Sequence, residues 1–294
     1  MNKDIDVITI TQENIQLLVD SSTPYLKEGW EFKTWEYGCL KGKDYPNSKE
    51  IDSLIENLSV KLNGDGYFLL DLSFLVDNYP ANIVATVSTF ILSLVGKPIK
   101  IFDKLETHWR KVGVNLNKNP NKSEGIGKSP LHMDFVNAEY PPDYVCLFAI
   151  RHDEQMGGQS ILADFEDIER TIPVNQRREL FKSQFSDGKV EYLSNIGGDI
   201  NPFPIISKQA IWKYRITGNL LTSEVPTEAS LAITYLFNEL EKRKVSFLLK
   251  KGYYLVINQH KLLHGKEPLG TNQASISEDK RRLLMHGFVK KITT

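Results

Sequence analysis

Cysteine is nearly absent from this chain of 294 residues: Cys39 and Cys146 are the two present. Two cysteines so far apart exclude a disulfide framework and a local zinc motif. Cys146 lies in an apolar stretch and reads as a small core residue. No hydrophobic run is long enough to span a bilayer or serve as a secretory leader, so no membrane partner is expected and the cytoplasm is the expected location. Excess charge of one sign is missing too. Lysine and arginine number 36 against 37 acidic residues, a net charge of −1, and the densest basic run, Lys242-Arg-Lys244, reads as a solvated helix end. Nucleic acid therefore has no electrostatic claim as a partner. Repeats, low-complexity tracts and visible domain boundaries are absent, while 41% hydrophobic and 25% charged residues suit a globular domain with a substantial core.

Histidine is sparse, at six residues, which makes the setting of two of them informative. His132 and Asp134 lie two apart in Ser129-Pro-Leu-His-Met-Asp-Phe135, and His264 follows far downstream in Leu262-Leu-His-Gly-Lys266. Residues i and i+2 of an extended strand project from one face, so His132 and Asp134 can reach one ion while Met133 points away. Two imidazoles and a carboxylate are the ligand set of mononuclear non-haem Fe(II) oxygenases, which keep the opposite face of the metal open. An unpaired buried carboxylate is costly, so Asp134 inside an apolar stretch calls for a partner. His264 follows the strand-like run Tyr253–Ile257 and precedes Gly265, where a missing side chain lets backbone turn close to a ligand. Of the other histidines, His108, His152, His260 and His286, the rival ligand is His260, by its nearness to His264.

Further elements follow from periodicity. Ile51, Leu54, Ile55, Leu58 and Leu62 recur at helical spacing before Gly64; 66–72 reads as a buried strand, Asn82 to Leu94 as a helix ending at Gly96, and Trp109 to Leu116 as a strand. The Gly-, Pro-, Asn- and Ser-rich segment Pro120–Pro130 is a surface loop, either a lid over the site or an ordinary connection. A strand candidate spans 141–151, a turn falls at Gly157-Gly158, and 280–289 forms another strand candidate carrying Arg281 and Arg282. Helices are predicted over Ile172–Phe185, with Thr171 as N-cap, and over Pro226–Arg243, with Ser223 or Thr227 as N-cap. Between them, 210–216 alternates like a strand, Trp212, Tyr214 and Ile216 on one face and Lys213 and Arg215 on the other.

From Gly66 to Val289 the order His-x-Asp, Gly-Gly-x-Ser, distal His, then Arg resembles the taurine dioxygenase and clavaminate synthase-like family of Fe(II)/2-oxoglutarate oxygenases. The resemblance implies a mainly β fold with flanking helices, a double-stranded β-helix (jelly roll, cupin-like) with a helical insertion. It implies one domain over 1–294, with N-terminal helices and strands in about 1–100, a core over about 101–292 and the insertion over about 165–250. It further implies Fe(II) as cofactor, 2-oxoglutarate and O2 as cosubstrates, His132, Asp134 and His264 as metal ligands, and Ser160 and Arg282 as holders of the keto acid. A planar guanidinium suits that task, since it grips a carboxylate through two parallel hydrogen bonds. Arg281 should face the other way.

Four residues beyond the gripping arginine many family members place a second arginine for an acidic group on the substrate; here that position is His286. Strand parity sets it beside Arg282, either as a donor to substrate or as a partly buried structural histidine. Arg215 is read in two ways, as anchor for a substrate carboxylate or as a surface arginine on an edge strand, and Phe135 as an aromatic neighbour for substrate. Retention of Asp134 disfavours halogenation, since halogenating relatives carry a small residue there. The implied function is hydroxylation of an unactivated C–H bond in a small polar molecule, such as an amino acid or amino-acid-derived secondary metabolite, free or carrier-tethered. Desaturation or decarboxylation by the same site is the first alternative. A non-oxidative jelly-roll binding protein or metal hydrolase is the alternative of another class.

Overall fold

A computed structural model describes residues 5–25, 49–100, 108–188, 196–208 and 211–291. Cys39, and Ala210 at the start of one expected strand, lie outside these residues. Two sheets face one another, with helices outside both. The larger sheet runs in the order β1 (Ile8–Thr9), β2 (Tyr67–Asp71), β9 (Tyr253–Asn258), β6 (Tyr144–Arg151), β11 (Leu283–Lys290). Two further strands share the far edge of β11: β4 (Trp109–Gly113) along its first part and β3 (Lys97–Pro98) at its end. The smaller sheet is β5 (Ser129–His132), β10 (Leu262–Lys266), β7 (Ser160–Asp164) and β8 (Val245–Phe247).

Alternation along the central strands builds three apolar layers. In β6, Tyr144, Cys146 and Phe148 face helices α1 (Gln12–Ser22), α2 (Lys49–Gly64), α3 (Ser73–Asn78) and α4 (Ala81–Val95), whereas Val145, Leu147 and Ala149 face the smaller sheet. Since both faces are buried, such a strand reads as one unbroken apolar run. Helix α4 is buried on every side from Val84 to Leu94, the pattern of a core helix. Full burial of each large apolar side chain here contributes about 1.5–3 kcal/mol. The third layer packs Leu131, Met133, Ile161, Ala163 and Leu263 of the smaller sheet against α5 (Phe165–Glu169), α6 (Val174–Leu180) and α7 (Thr227–Arg243). These helices form the insertion, between β7 and β8. The architecture is the two-sheet jelly roll with outer helices, its sheets open rather than closed into a barrel.

Several local expectations give way. Helix α6 covers Val174–Leu180 rather than Ile172–Phe185, with Pro173 at its N-cap; the Thr171 hydroxyl donates back to the Ile168 carbonyl instead of capping, and Phe185 is drawn into a bridge with Phe203. Helix α7 begins after Pro226, so neither Ser223 nor Thr227 is its cap. Proline suits this boundary, since its fixed φ leads into the helix and its lack of N–H leaves no orphan donor. Where a strand was expected over 210–216, the described residues 211–216 are irregular backbone, with one bridge between Ile206 and Tyr214. Arg215 is buried together with Trp212 and Tyr214, so the alternation is only apparent.

Candidate metal and cosubstrate site

A cavity of about 470 Å³ lies between the two sheets, and the histidines singled out above meet in its wall. His264 sits mid-way along β10, which places His132 of β5 directly beside it on one side and Leu162 of β7 on the other. The two imidazole rings are 4.5 Å apart between centroids. Asp134 arrives by a route different from the one expected. Strand β5 ends at His132, and Asp134 belongs to the following turn, where Phe135 takes a left-handed conformation with φ of 57°. A bulky residue there carries strain on the order of 1–3 kcal/mol. Met133 packs into the apolar layer under the insertion helices, and its N–H donates to the Ile216 carbonyl. Ligand atoms of His132, Asp134 and His264 lie within 4.8 Å of one another. His260 is engaged elsewhere, its Nε2 2.6 Å from an Asp143 carboxylate oxygen and its ring stacked on Trp212, and it is not part of the cluster.

The protonation pattern suits a cation. His132 Nδ1 is 2.8 Å from the Pro130 carbonyl; a proton held there leaves Nε2 with its lone pair turned toward Asp134, 3.7 Å away. Asp134 Oδ2 is 3.4 Å from His264 Nε2 and 3.2 Å from His286 Nε2. Burial pushes the Asp134 carboxyl up, but the charges of His286 and His264 and the close approach of the His132 and His264 rings hold it well below the usual carboxylate range. Burial disfavours the charged form of His132, yet the adjoining carboxylate outweighs it and the pKa is raised; burial followed by His132 depresses that of His264. Asp134 Oδ2 and His264 Nδ1 are buried without a hydrogen-bond partner. A carboxylate and two imidazoles packed this way, with orphaned polar atoms, fit a divalent metal ion.

Beside this cluster, the part of the cavity next to the start of β11 is positively charged. Arg282 immediately precedes β11; the residue is 7% exposed, and its guanidinium has no hydrogen-bond or ion-pair partner among the described residues. Burial lowers its pKa to about 10. The Gly157-Gly158 turn passes beside it: Gly158 has φ of +67°, and a Cβ on it would come within 2.5 Å of a Leu269 methyl, with Arg282 Cδ in ordinary contact at 3.5 Å. Ser160 also lines the cavity, its hydroxyl buried without a partner. Arg281 turns outward, Nε donating to the Ile276 carbonyl. His286 and Phe135 both line the cavity, and the Phe135 ring packs edge-on against Phe288 at 5.3 Å.

Arg215 is a correction. Its guanidinium donates to the carbonyls of Val136 and Ala138, at 2.6 and 2.8 Å, and it is not part of the cavity wall. It supports the backbone after Asp134 from behind, in contradiction of both earlier readings. Gly265 is another: it lies inside β10, where a Cβ would come within 2.6 Å of the Ser129 carbonyl, and the register shifts between His264 and Lys266.

Two participants escaped the reading of the sequence. Gln259 is buried, accepts the Asp134 N–H at 2.6 Å and donates to the Pro142 carbonyl at 2.9 Å, so it fixes the turn carrying the carboxylate. Lys266 lies two residues beyond His264 on β10 and lines the same cavity. The strand periodicity applied to His132 and Asp134 was the available signal for it.

A family model, the taurine catabolism dioxygenase TauD/TfdA family, matches residues 100–288. The chain belongs to that family. As a TauD/TfdA member it is a dioxygenase that uses Fe(II), 2-oxoglutarate and O2. No curated protein matches the sequence. Among solved structures, asparagine oxygenase with Fe(II), 2S,3S-3-hydroxyasparagine and succinate is similar at a TM-score of 0.74 and 14% identity, covering 97% of this chain and 93% of that one. The non-heme iron oxygenase OrfP with Fe and alpha-ketoglutaric acid is similar at a TM-score of 0.70 and 13% identity, over 98% and 94%. OrfP with (3S)-hydroxy-L-Arg and succinate matches at 0.69 and 13%. At such identities these likenesses establish the TauD/TfdA fold. No described helix is long and apolar enough to cross a membrane.

Proposed function

We propose that this TauD/TfdA dioxygenase hydroxylates a C–H bond of an amino acid or a close amino-acid derivative, with His132, Asp134 and His264 holding Fe(II). The observation that carries the reading is the meeting of those three side chains in the wall of a 470 Å³ cavity that also holds buried, unneutralised positive charge. Arg282 and Ser160 are assigned the far carboxylate of 2-oxoglutarate, one by a bidentate charged grip and the other by its hydroxyl. When bound, the metal and keto acid together supply an oxidant, with conversion of 2-oxoglutarate to succinate and CO2. The protein's share is placement. His132 is held in one tautomer by Pro130, Gln259 fixes the Asp134 turn, and the apolar layers exclude water from the space between the sheets.

The substrate class is supported by the cavity mouth and by its neighbours in fold. Lys122 donates to the Asn219 amide oxygen at 2.8 Å, and the Asn219 amide nitrogen donates to Asp187 at 2.5 Å, so the mouth presents both signs of charge. That pairing suits a zwitterion, and asparagine oxygenase and OrfP were crystallised with hydroxylated asparagine and arginine. Asp134 would supply a carboxylate to the metal where halogenating relatives carry a small residue, so a halide would find no place among the protein ligands. Desaturation stays the second outcome, because it begins from the same hydrogen abstraction.

The test is a panel of free amino acids and N-modified derivatives scored by succinate release, after anaerobic addition of Fe(II) and 2-oxoglutarate has been followed by visible absorbance. A weak visible band and substrate-stimulated succinate with an amino acid are expected. Succinate that no amino acid stimulates would remove the substrate assignment, and absence of the band would remove the site assignment.

A further inference from the structure

Among the described residues, Lys266 is a buried ammonium without a counter-ion. It is 5% exposed, and two of its three N–H bonds go to the backbone carbonyls of Gly125, at 3.0 Å, and Gly127. Carbonyls satisfy donors but carry no net charge, so the ammonium remains uncompensated in a setting where burial of charge is expensive. Arg282, in the same cavity, is also buried and unpaired. The anion near both is Asp153, and its oxygens are engaged by the Gly270 N–H, the Gln273 amide and the Gln155 N–H. Two positive charges therefore share one end of the cavity against one distant and occupied carboxylate. Ser160 stands directly opposite Lys266 in the β7–β10 register, its hydroxyl buried and unpartnered. A guanidinium fork, an ammonium with a spare N–H and a free hydroxyl are what the four lone-pair positions of one carboxylate can take up.

We propose that Lys266 is a further donor to the far carboxylate of 2-oxoglutarate and, through the Gly125 and Gly127 carbonyls, fastens the 115–128 loop to the loaded site. This rests on the cosubstrate site assigned above. The loop is well placed to respond, because Asn119, Asn121, Lys122 and Ser123 line the mouth through which substrate must pass. Lys266 links the two ends of the cavity: its Nζ holds the loop carbonyls, and its position on β10 lies opposite Ser160 in the same cavity wall. Keto acid in place supplies the missing negative charge, and the ammonium and the loop it holds become harder to displace. An ordered mouth would then follow cosubstrate binding.

The experiment uses the full chain loaded with Mn(II) under anaerobic conditions, with 2-oxoglutarate titrated calorimetrically and tryptic cleavage followed at Lys118, Lys122 and Lys128. Wild type is expected to bind 2-oxoglutarate and to become protected in the loop on binding. Lys266→Met should weaken binding by roughly 30-fold or more, the low end for removing a buried charged contact. Lys266→Gln keeps donors for the glycine carbonyls without the charge; it should retain the melting temperature yet weaken binding at least ~10-fold and lose the protection induced by keto acid. If Lys266→Met does not fold, the Gln variant and wild-type protection decide alone. Wild-type affinity and protection in Lys266→Gln would overturn this proposal while leaving the cosubstrate site intact. A wild type that fails to bind 2-oxoglutarate would overturn the cosubstrate site and this proposal together.

Discussion

The two sheets divide structure from chemistry. In the seven-stranded sheet, β6 and β9 send apolar side chains to both faces, and His286 is the polar residue that β11 turns into the cavity, with Arg282 just before its start. In the four-stranded sheet every strand is five residues or shorter, yet β5, β7 and β10 contribute His132, Ser160, His264 and Lys266 to the site. Its opposite face packs on the insertion helices through Leu131, Ile161, Ala163 and Leu263. Short strands with one apolar and one polar face cannot stand alone. They are held in place from behind, and the long sheet supplies the rigid floor across the cavity. Positions facing inward from the small sheet are thus open to functional residues at little cost to folding, whereas in the large sheet the central strands β6 and β9 are committed to the core and polar groups enter the cavity from β11 and β4 at its edge.

The strongest way to break this division is to remove the proposed metal ligands. His132→Ala, Asp134→Ala and His264→Ala are each expected to bring succinate formation to the level without enzyme, with the metal-free melting temperature almost unchanged. Retained turnover in any of them would cost that residue its assignment, and a collapse in stability would show the small sheet to be structural after all. The converse probe is Phe148→Ala in β6, buried against the helices and packed on Tyr254 at 5.2 Å. Such truncations cost about 3–5 kcal/mol, which denaturant titration should register, while turnover per folded molecule stays at the wild-type value. Arg282→Ala sharpens the boundary, since this residue comes from the large-sheet side but serves the site. Loss of a buried charged grip costs on the order of 2–5 kcal/mol, a rise in the 2-oxoglutarate dissociation constant of roughly 30-fold to a few thousand-fold. An unchanged constant would move the grip to another cation.

The same division explains what could be read from the sequence. Strands such as Tyr253–Asn258 are legible because burial on both faces leaves an apolar run that no exposed segment imitates. His132, Asp134 and His264 are legible through their order relative to Gly157-Gly158 and Arg282, a pattern that concerns chemistry more than secondary structure. Less was visible wherever a side chain is committed to backbone far away in sequence. Arg215 alternates with its neighbours as a strand residue would, but its position is decided by the carbonyls of Val136 and Ala138. Gln259 is a polar residue in a polar turn until the Asp134 N–H is brought to it. Asp134 reaches His132 and His264 through a left-handed turn at Phe135 instead of strand alternation, so the three side chains meet by a geometry other than the one expected.

A last contrast concerns protons. In the small sheet titratable groups gather around one another, whereas His108, at the start of the large sheet's β4, is held neutral by burial. Burial, with a smaller contribution from the charge of Lys100, lowers its pKa to about 4. Unfolded, the same imidazole takes up a proton near pH 6.5, so the unfolded chain binds more protons as the pH falls. The stability His108 permits is present in full above pH 6.5 and is lost progressively as the pH falls toward 4. Between pH 7 and pH 5 the loss should be about 2 kcal/mol. Urea titrations of wild type and His108→Gln at both values isolate it, because the contributions of every other group cancel in the difference. The variant should lose less stability than wild type by that amount. Equal losses would mean that His108 gains its proton in the folded protein as readily as outside it, and that the large sheet's edge admits charge as the small sheet does.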